Sequence, residues 1–357
     1  MRGAHGGSTY AVMQTILVTG GAGYIGSTLV PKLLVAGHSV IVADRFYFGP
    51  DSLSAARAKH GDRLRLVKTD IRRLDPALFR DVDAVVDLAG ISNDPSCELD
   101  PNITRDVNLH GSVRTMKLAR DAGVKRYVLS SSCSVYGRGE GLGLTESSGL
   151  HPVSLYARCK AEAERELLAL RSDQFCPVAL RLATVFGLSP RMRFDLAINV
   201  MTKNAYTRGQ ITVDGGGKQW RPFVHVTDVA EAMMFFLTAD AGRVAGEVFN
   251  VGHQDNNVRI LNLAYRVRDI VPGTQIVMAP TDPDLRDYNV RFDKLAAIWP
   301  GHAFRSIDAG IREILDALRS GRIDPDDRRW YTLEQYRFLV EVERTWRDVA
   351  IEGSVLS

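Results

Sequence analysis

The sequence predicts an α/β protein built on a doubly wound parallel sheet, with a smaller C-terminal lobe interleaved with it. Three observations carry that expectation. From Gln14 onward, short apolar runs rich in β-branched residues alternate with amphipathic stretches, the pattern of strand–helix–strand units in a parallel sheet covered on both faces. A glycine cluster separates the first run from the first amphipathic stretch, where a sharp strand-to-helix turn is needed. Beyond Gly187 the alternation loosens into segments bearing Arg, Gly and Pro, as a second, less regular lobe would.

In order, strands are expected at 15–19, 39–43, 64–68, 84–88, 127–131 and 178–182, with a first helix over 24–36 and later helices near 101–122 and 153–171. Past Gly187, strands return at 223–226 and 248–251, and helices near 306–319 and 333–347. The expected organisation is a disordered tail over 1–13, rich in Gly and small polar residues, then a doubly wound domain over 14–187 rejoined by 223–253. A smaller lobe comes from 188–222 and 254–321, and a helical extension from 322–357.

With 357 residues, 45% of them hydrophobic and 24% charged, the chain has an ordinary globular composition. Its 45 basic and 42 acidic side chains leave a formal charge of +3. That is too small and too evenly spread for a nucleic-acid footprint or a polybasic membrane patch, so small molecules are the expected partners. No apolar run approaches the ~20 residues that span a bilayer, so no membrane contact is expected. Cys97, Cys133, Cys159 and Cys176 form no C-x-x-C pair and no metal-ligand spacing. The expectation is free thiols in a reducing cytoplasm, and no metal.

The segment Thr19-Gly20-Gly21-Ala22-Gly23-Tyr24-Ile25-Gly26 follows the first strand and opens the first helix, where a dinucleotide fingerprint sits in a Rossmann-type fold. Gly20 permits the tight turn and brings backbone up to a pyrophosphate. The N–H groups and dipole of the helix start, over Gly23, Tyr24, Ile25 and Gly26, favour negative charge. Asp44 ends the second strand. A carboxylate there accepts hydrogen bonds from the adenosine ribose hydroxyls and repels a 2′-phosphate, so NAD is expected over NADP; Arg45 beside it could pair with such a phosphate. Asp70 and Ile71, after the third strand, are expected along the adenine, with Asp70 either bonding its amino group or capping a turn. Leu88 and Ala89, after the fourth strand, are expected to line the cofactor.

Tyr156 and Lys160 stand four apart at the start of a helical stretch and so share one face. A tyrosine of pKa about 10 becomes a usable base when an ammonium and an oxidised nicotinamide favour its phenolate. Ser130-Ser131-Ser132-Cys133-Ser134 ends the fifth strand, on the carboxyl-terminal edge where an α/β sheet presents its ligands. A hydroxyl of that cluster can meet the Tyr156 phenol.

The glycine fingerprint, the serine cluster and Tyr-x-x-x-Lys, in this order, resemble the extended short-chain dehydrogenase/reductase family, the NAD-dependent nucleotide-sugar epimerases and dehydratases, over about residues 14–319. The resemblance implies Ser132 as the catalytic hydroxyl, Tyr156 as the base and Lys160 as the residue holding the nicotinamide ribose. Arg221, in Arg221-Pro222-Phe223-Val224-His225-Val226-Thr227-Asp228, matches the family's Arg-x-x-x-His-Val-x-Asp segment and is implied as a nucleotide-diphosphate ligand, with Asp228 or Thr227 capping the next helix. Arg286 resembles a second diphosphate arginine, or is a surface ion pair. Asn108 matches a family asparagine that supports the catalytic lysine, or is a buried packing residue. The family's His-Leu-Ala-Ala is here Asp87-Leu88-Ala89-Gly90, and a usual Asn is Thr184. The stretch Ser189-Pro190-Arg191-Met192-Arg193-Phe194-Asp195 falls where substrate is gripped. Arg193 and Asp195, with Ser134 and Thr184, are the expected sugar-nucleotide contacts. The arginines either recognise a diphosphate or sugar carboxylate or are ordinary surface charges. A homodimer through the helices near 101–122 and 153–171 is also implied.

In such enzymes the phenolate removes the sugar 4-hydroxyl proton while hydride passes from C4 to the nicotinamide, and the two positions after the catalytic hydroxyl divide the later chemistry. In dTDP-glucose 4,6-dehydratases they are Asp and Glu, and UDP-glucuronate decarboxylases resemble a pattern with Glu at the second. Here they are Cys133 and Ser134. GDP-fucose synthases and GDP-mannose 3,5-epimerases carry a reactive Cys one place later, which leaves Cys133 out of register and readable as a small buried hydrophobe. The resulting expectation is a 4-epimerase of a UDP-hexose or UDP-uronate, in which a 4-keto sugar turns over and takes the same hydride back. The alternative is a reductase or dehydrogenase of an NDP-4-keto-deoxysugar, with dehydration and decarboxylation further behind.

Overall fold

The computed structural model describes residues 13–139, 141–280 and 286–351. The tail expected over 1–13 lies outside them but for Met13, as do residues 352–357 of the expected extension.

The first half alternates as the sequence predicts: β1 (Thr15–Thr19), α1 (Gly26–Val35), β2 (Ser39–Asp44), β3 (Leu64–Lys68), β4 (Ala84–Asp87), α2 (Ser112–Asp121), β5 (Arg126–Ser132), α3 (Leu155–Leu168) and β6 (Cys176–Leu182). After it come β7 (Thr184–Phe186), α4 (Ala197–Arg208), β8 (Gln210–Asp214), β9 (Trp220–His225), α5 (Val226–Thr238), β10 (Glu247–Val251), β11 (Asn257–Arg259), α6 (Ile260–Ile270), β12 (Gln275–Ala279), α7 (Ile307–Arg319) and α8 (Thr332–Val349). Seven strands form one sheet in the order β10-β6-β5-β4-β1-β2-β3, and every pair in it is parallel.

Its strands read as unbroken apolar runs because both faces are covered. Ile16 and Val18 point to the face packed by Leu29 and Leu33 of α1. Leu17 between them points to the opposite face, with Met116 of α2 and Leu167 of α3, the period of two of a strand. The chain runs outward from β1 through β2 to β3 and then crosses back to β4 on the other side. The order therefore reverses between β1 and β4, and a crevice opens at the carboxyl ends of those strands.

Of the return segment, α5 packs on α1 and β10 joins the main sheet. β9 does not join it; it pairs with β7 and β11 in a small second sheet. The cap of α5 also differs from the expectation: His225 Nδ1 accepts the Thr227 N–H at 3.2 Å, leaving Asp228 to take the Arg305 backbone N–H at 2.8 Å. The helix expected over 101–122 is interrupted by a π-helical turn at Asp106–Gly111, a distortion that often marks a functional site. No helix among the described residues is long and apolar enough to cross a membrane.

Candidate active site

A cavity of about 1360 Å³ runs along the carboxyl ends of the central strands, from the glycine fingerprint past Ser132 and Tyr156 to Arg221 and the first turns of α8.

At its nucleotide end the glycines are required by contact. Gly20 has φ +67°, and a Cβ there would lie 2.8 Å from the Ala89 nitrogen; a Cβ at Gly26 would lie 2.5 Å from Gly21 Cα. Gly23, Tyr24 and Ile25 complete the turn into α1 and line the cavity. Asp44 accepts the N–H of Ala22 at 3.0 Å and of Phe46 at 2.7 Å, so it ties the turn to the end of β2. Burial raises its pKa and those N–H groups work the other way. Asp70 caps the turn at Ile71–Arg73, accepting the Arg72 N–H at 2.9 Å. It also pairs with the Arg72 guanidinium at 2.7 Å and with Arg45 at 2.7 Å. The Arg72 bonds, with help from Arg45, hold its carboxyl well below the usual carboxylate range despite partial burial. Arg45 is thereby engaged, which fits NAD better than its 2′-phosphorylated form. The backbone N–H groups of Leu88 and Ala89 both donate to Thr19 Oγ1 at 3.2 Å, and Thr19 donates to Asp87 at 2.5 Å. Ser112 and Tyr127 donate to the other oxygen of Asp87 at 2.5 and 2.8 Å. The residue that stands where the family has His is a buried anchor for β1, β4, β5 and α2.

At the reactive end Ser154 caps α3, accepting the Ala157 N–H at 3.2 Å, and this places Tyr156 in the first turn and Lys160 one turn on. Ser132 accepts the Ser134 N–H at 3.1 Å, and its hydroxyl acts to lower the Tyr156 pKa. Lys160 Nζ donates to the Ser130 carbonyl at 2.7 Å and lies 5.9 Å from the centre of the Tyr156 ring. Burial lifts the Tyr156 pKa well above 10, aided by the Cys97 thiol; Arg193 and the Ser132 hydroxyl oppose it. Burial lowers the Lys160 pKa. Both groups are pushed toward neutral forms, and positive charge entering the cleft would favour the phenolate.

Asn108 is buried and turns its side chain to residue 91. Its Oδ1 accepts the Ile91 N–H at 2.8 Å and its Nδ2 donates to the Ile91 carbonyl at 2.9 Å, while Lys160 is held by Ser130. The π-helical turn sets Asn108 against residues 90–91, and a Cβ at position 90 would meet Asn108 Oδ1 at 3.0 Å, so the departure to Gly90 relieves a tight contact. Cys133 turns into the core, its thiol donating to the Arg181 carbonyl at 3.2 Å. Ser134 is buried at the cavity wall with a hydroxyl that has no partner among the described residues, and Thr184 lines the same wall.

The four charged candidates all reach the cavity. Arg193 forms a bidentate pair with Asp195, at 3.1 and 2.7 Å, and donates to Ser92 Oγ at 3.0 Å; Asp195 also receives Asn93 at 2.7 Å. They are buried partners of each other rather than surface charges. Arg221 is buried and donates to the carbonyls of Trp220 at 2.8 Å and Arg286 at 2.5 Å. Arg286 pairs with Asp94 at 3.0 Å. Three contributors to the cavity went unread in the sequence: Phe48 and the α8 residues Thr332 and Tyr336. Nothing local marks Thr332 or Tyr336; Arg191 lay in the unfamiliar stretch before Arg193.

Residues 16–252 match the profile of the NAD dependent epimerase/dehydratase family. The chain belongs to that family. A relative from Lactobacillus helveticus, a UDP-glucose 4-epimerase, is 31% identical over 75% of this chain and 86% of its own. One from Xenopus tropicalis, UDP-glucuronic acid decarboxylase 1, is 29% identical over 80% of this chain and 68% of its own. A solved structure, MoeE5 in complex with UDP-glucuronic acid and NAD, is 27% identical, with a TM-score of 0.74 over 86% of this chain and 99% of that one. The cofactor of this NAD dependent epimerase/dehydratase family member is NAD, and the cavity fits it: side-chain-free backbone at Gly20 and Gly26, the amides of the α1 start and the Asp44 carboxylate follow one another along one wall.

Proposed function

We propose that this protein is a nucleotide-diphosphate-sugar 4-epimerase, acting on a UDP-hexose or UDP-uronate through a transient 4-keto sugar. The carrying observation is the wall beside Ser132. Cys133 points into the core and Ser134 offers only a hydroxyl, while Asp94, the acid whose charge acts on the phenol, is paired to Arg286, and Asp195 is paired to Arg193. With no carboxylate at the two positions after Ser132, Tyr156 is the group that takes a proton from the sugar 4-hydroxyl and returns it, with Ser132 relaying or fixing that hydroxyl. Bound NAD supplies a hydride acceptor at C4 and a donor to the opposite face. Arg221 and Arg286, at the far end of the cavity, are the diphosphate contacts in this reading. A homodimer through the helices near 101–122 and 153–171, where Ile103 and Val153 are exposed, belongs to the same proposal; a monomeric mass in solution removes that part.

Decarboxylation of a uronate is the second reading, because loss of CO₂ from a 4-keto uronate needs no elimination base and relatives of that activity align over most of the chain. The test is incubation with UDP-glucose and with UDP-glucuronate, without added cofactor, followed by sugar NMR and absorbance at the reduced-nicotinamide band. A C4 epimer with no net absorbance change is expected. A pentose product from UDP-glucuronate would replace the proposal with decarboxylation, and no product from either sugar, with NAD(P)H consumed on an NDP-4-keto-6-deoxysugar, would replace it with ketoreduction.

A further inference from the structure

Arg191 is a buried cation that the proposed proton and hydride transfers do not use. The segment leading to it is tied to the first turn of α1. The Tyr24 hydroxyl donates to the Gly187 carbonyl at 2.6 Å, Ser189 Oγ donates to the Tyr24 carbonyl at 2.7 Å, and the Arg191 N–H donates to Ser27 Oγ at 3.2 Å. The guanidinium is thereby carried beside the fingerprint, where the residue is 3% exposed. It stacks on Phe48, 3.6 Å from the ring centre, and Nη2 donates to Thr332 Oγ1 of α8 at 3.1 Å. Its Nε has no partner among the described residues.

No carboxylate among the described residues pairs with it: Asp195 is already bidentate to Arg193. Burial, and then the like charge of Arg193, pull its pKa down to about 9. A guanidinium buried in this way is costly unless an anion completes it, and the cavity it lines is the one the glycine turn lines.

We infer that Arg191 is a side-chain ligand of the cofactor's diphosphate, joining the backbone N–H groups of the α1 start, and that α8 seats it. Helix α8 serves this role twice. Thr332 holds the guanidinium directly, and Tyr336 packs edge-on against Tyr47 and Phe48 with ring centres 5.5 and 5.6 Å apart, while Gln335 donates to the Tyr47 carbonyl at 2.8 Å. The C-terminal extension, outside the family-matched residues 16–252, thus completes the cofactor site.

The test is calorimetric titration of NAD, ADP and adenosine into full-length protein freed of nucleotide, for wild type, Arg191→Gln and Thr332→Val. Removing one member of a desolvated charge pair is expected to weaken NAD and ADP roughly thirtyfold in Arg191→Gln. Adenosine, which lacks the phosphates, should change by less than about twofold, and Thr332→Val should weaken NAD by about fivefold through loss of one hydrogen bond. Unchanged NAD affinity in Arg191→Gln, or an equal loss for adenosine, overturns the inference. Should Arg191→Gln not fold, Arg191→Lys carries the test, since it keeps the charge and gives up the stacked, forked geometry. A several-fold loss for NAD and ADP with adenosine unchanged is then expected, and wild-type affinity for all three overturns it.

Discussion

Tyr156, Lys160 and Glu164 lie on one face of α3, yet the two ends of that face are built differently. Glu164 receives Arg181 through three contacts between 2.8 and 3.1 Å and also the Ser131 hydroxyl. Arg181 goes on to the Tyr136 hydroxyl at 3.0 Å, which itself donates to Asn250 at 2.7 Å. Burial works against the charge on Arg181, and the Glu164 carboxylate more than offsets it. One and two turns earlier, Lys160 has a carbonyl for a partner and Tyr156 is held as a phenol, and beside them Ser134 has a hydroxyl without a partner among the described residues. The protein completes the polar groups that bind β5, β6, β10 and α3 together and leaves incomplete those that a ligand must complete.

The largest effect expected from that contrast is at Tyr156. Tyr156→Phe should lower turnover about 10³-fold with the fold and NAD content kept; retained turnover would break the contrast at this end of the helix face. Arg181→Met should do the reverse. It leaves Glu164 buried without its cation, and a loss of about 3–5 kcal/mol is expected in denaturant titrations, with the activity of the remaining folded protein little changed.

A pH series sharpens the comparison. Burial, more than any neighbouring charge, holds Tyr156 above its ordinary pKa of 10, so the base form lies on the alkaline side and kcat/KM should rise with pH. Arg193→Gln removes a charge that opposes the shift and should move the rise to higher pH. Stability runs the other way. Folded Tyr156 keeps its proton where the unfolded chain loses it, so this stabilisation is present below pH 10 and is lost as pH climbs through the folded value. Melts at about pH 9 and about pH 11 check the sign, and Tyr156→Phe should fall less between them. The smallest effect is at Cys133, whose thiol faces the core: Cys133→Ala should cost about 1 kcal/mol and leave turnover nearly unchanged, and a large loss of turnover would return that thiol to the chemistry.

Much of the site was legible because it is local. Gly20 to Gly26 sit between a strand and a helix, Asp44 ends the next strand, and Tyr156 and Lys160 share a face through a spacing of four. Asn108 was legible as an important polar residue but not in its partner, because the π-helical turn that sets it against Ile91 has no signature in residue type. Arg193 and Asp195 were legible as separate candidate substrate contacts, and their pairing with each other, beside Ser92 and Asn93, was not.

By itself, the amino-acid order determined the α/β alternation, the dinucleotide turn and the placing of Tyr156 and Lys160 on one helix face, because backbone periodicity and glycine's steric freedom act within a few residues. Only the tertiary structure decided that β9 leaves the main sheet, that Asp87 is an anchor for three donors, and that Thr332 reaches Arg191 across 141 positions of chain. Such contacts are set by the path of the chain and by the burial it imposes, and a buried charge shows its missing partner only once its surroundings are in place.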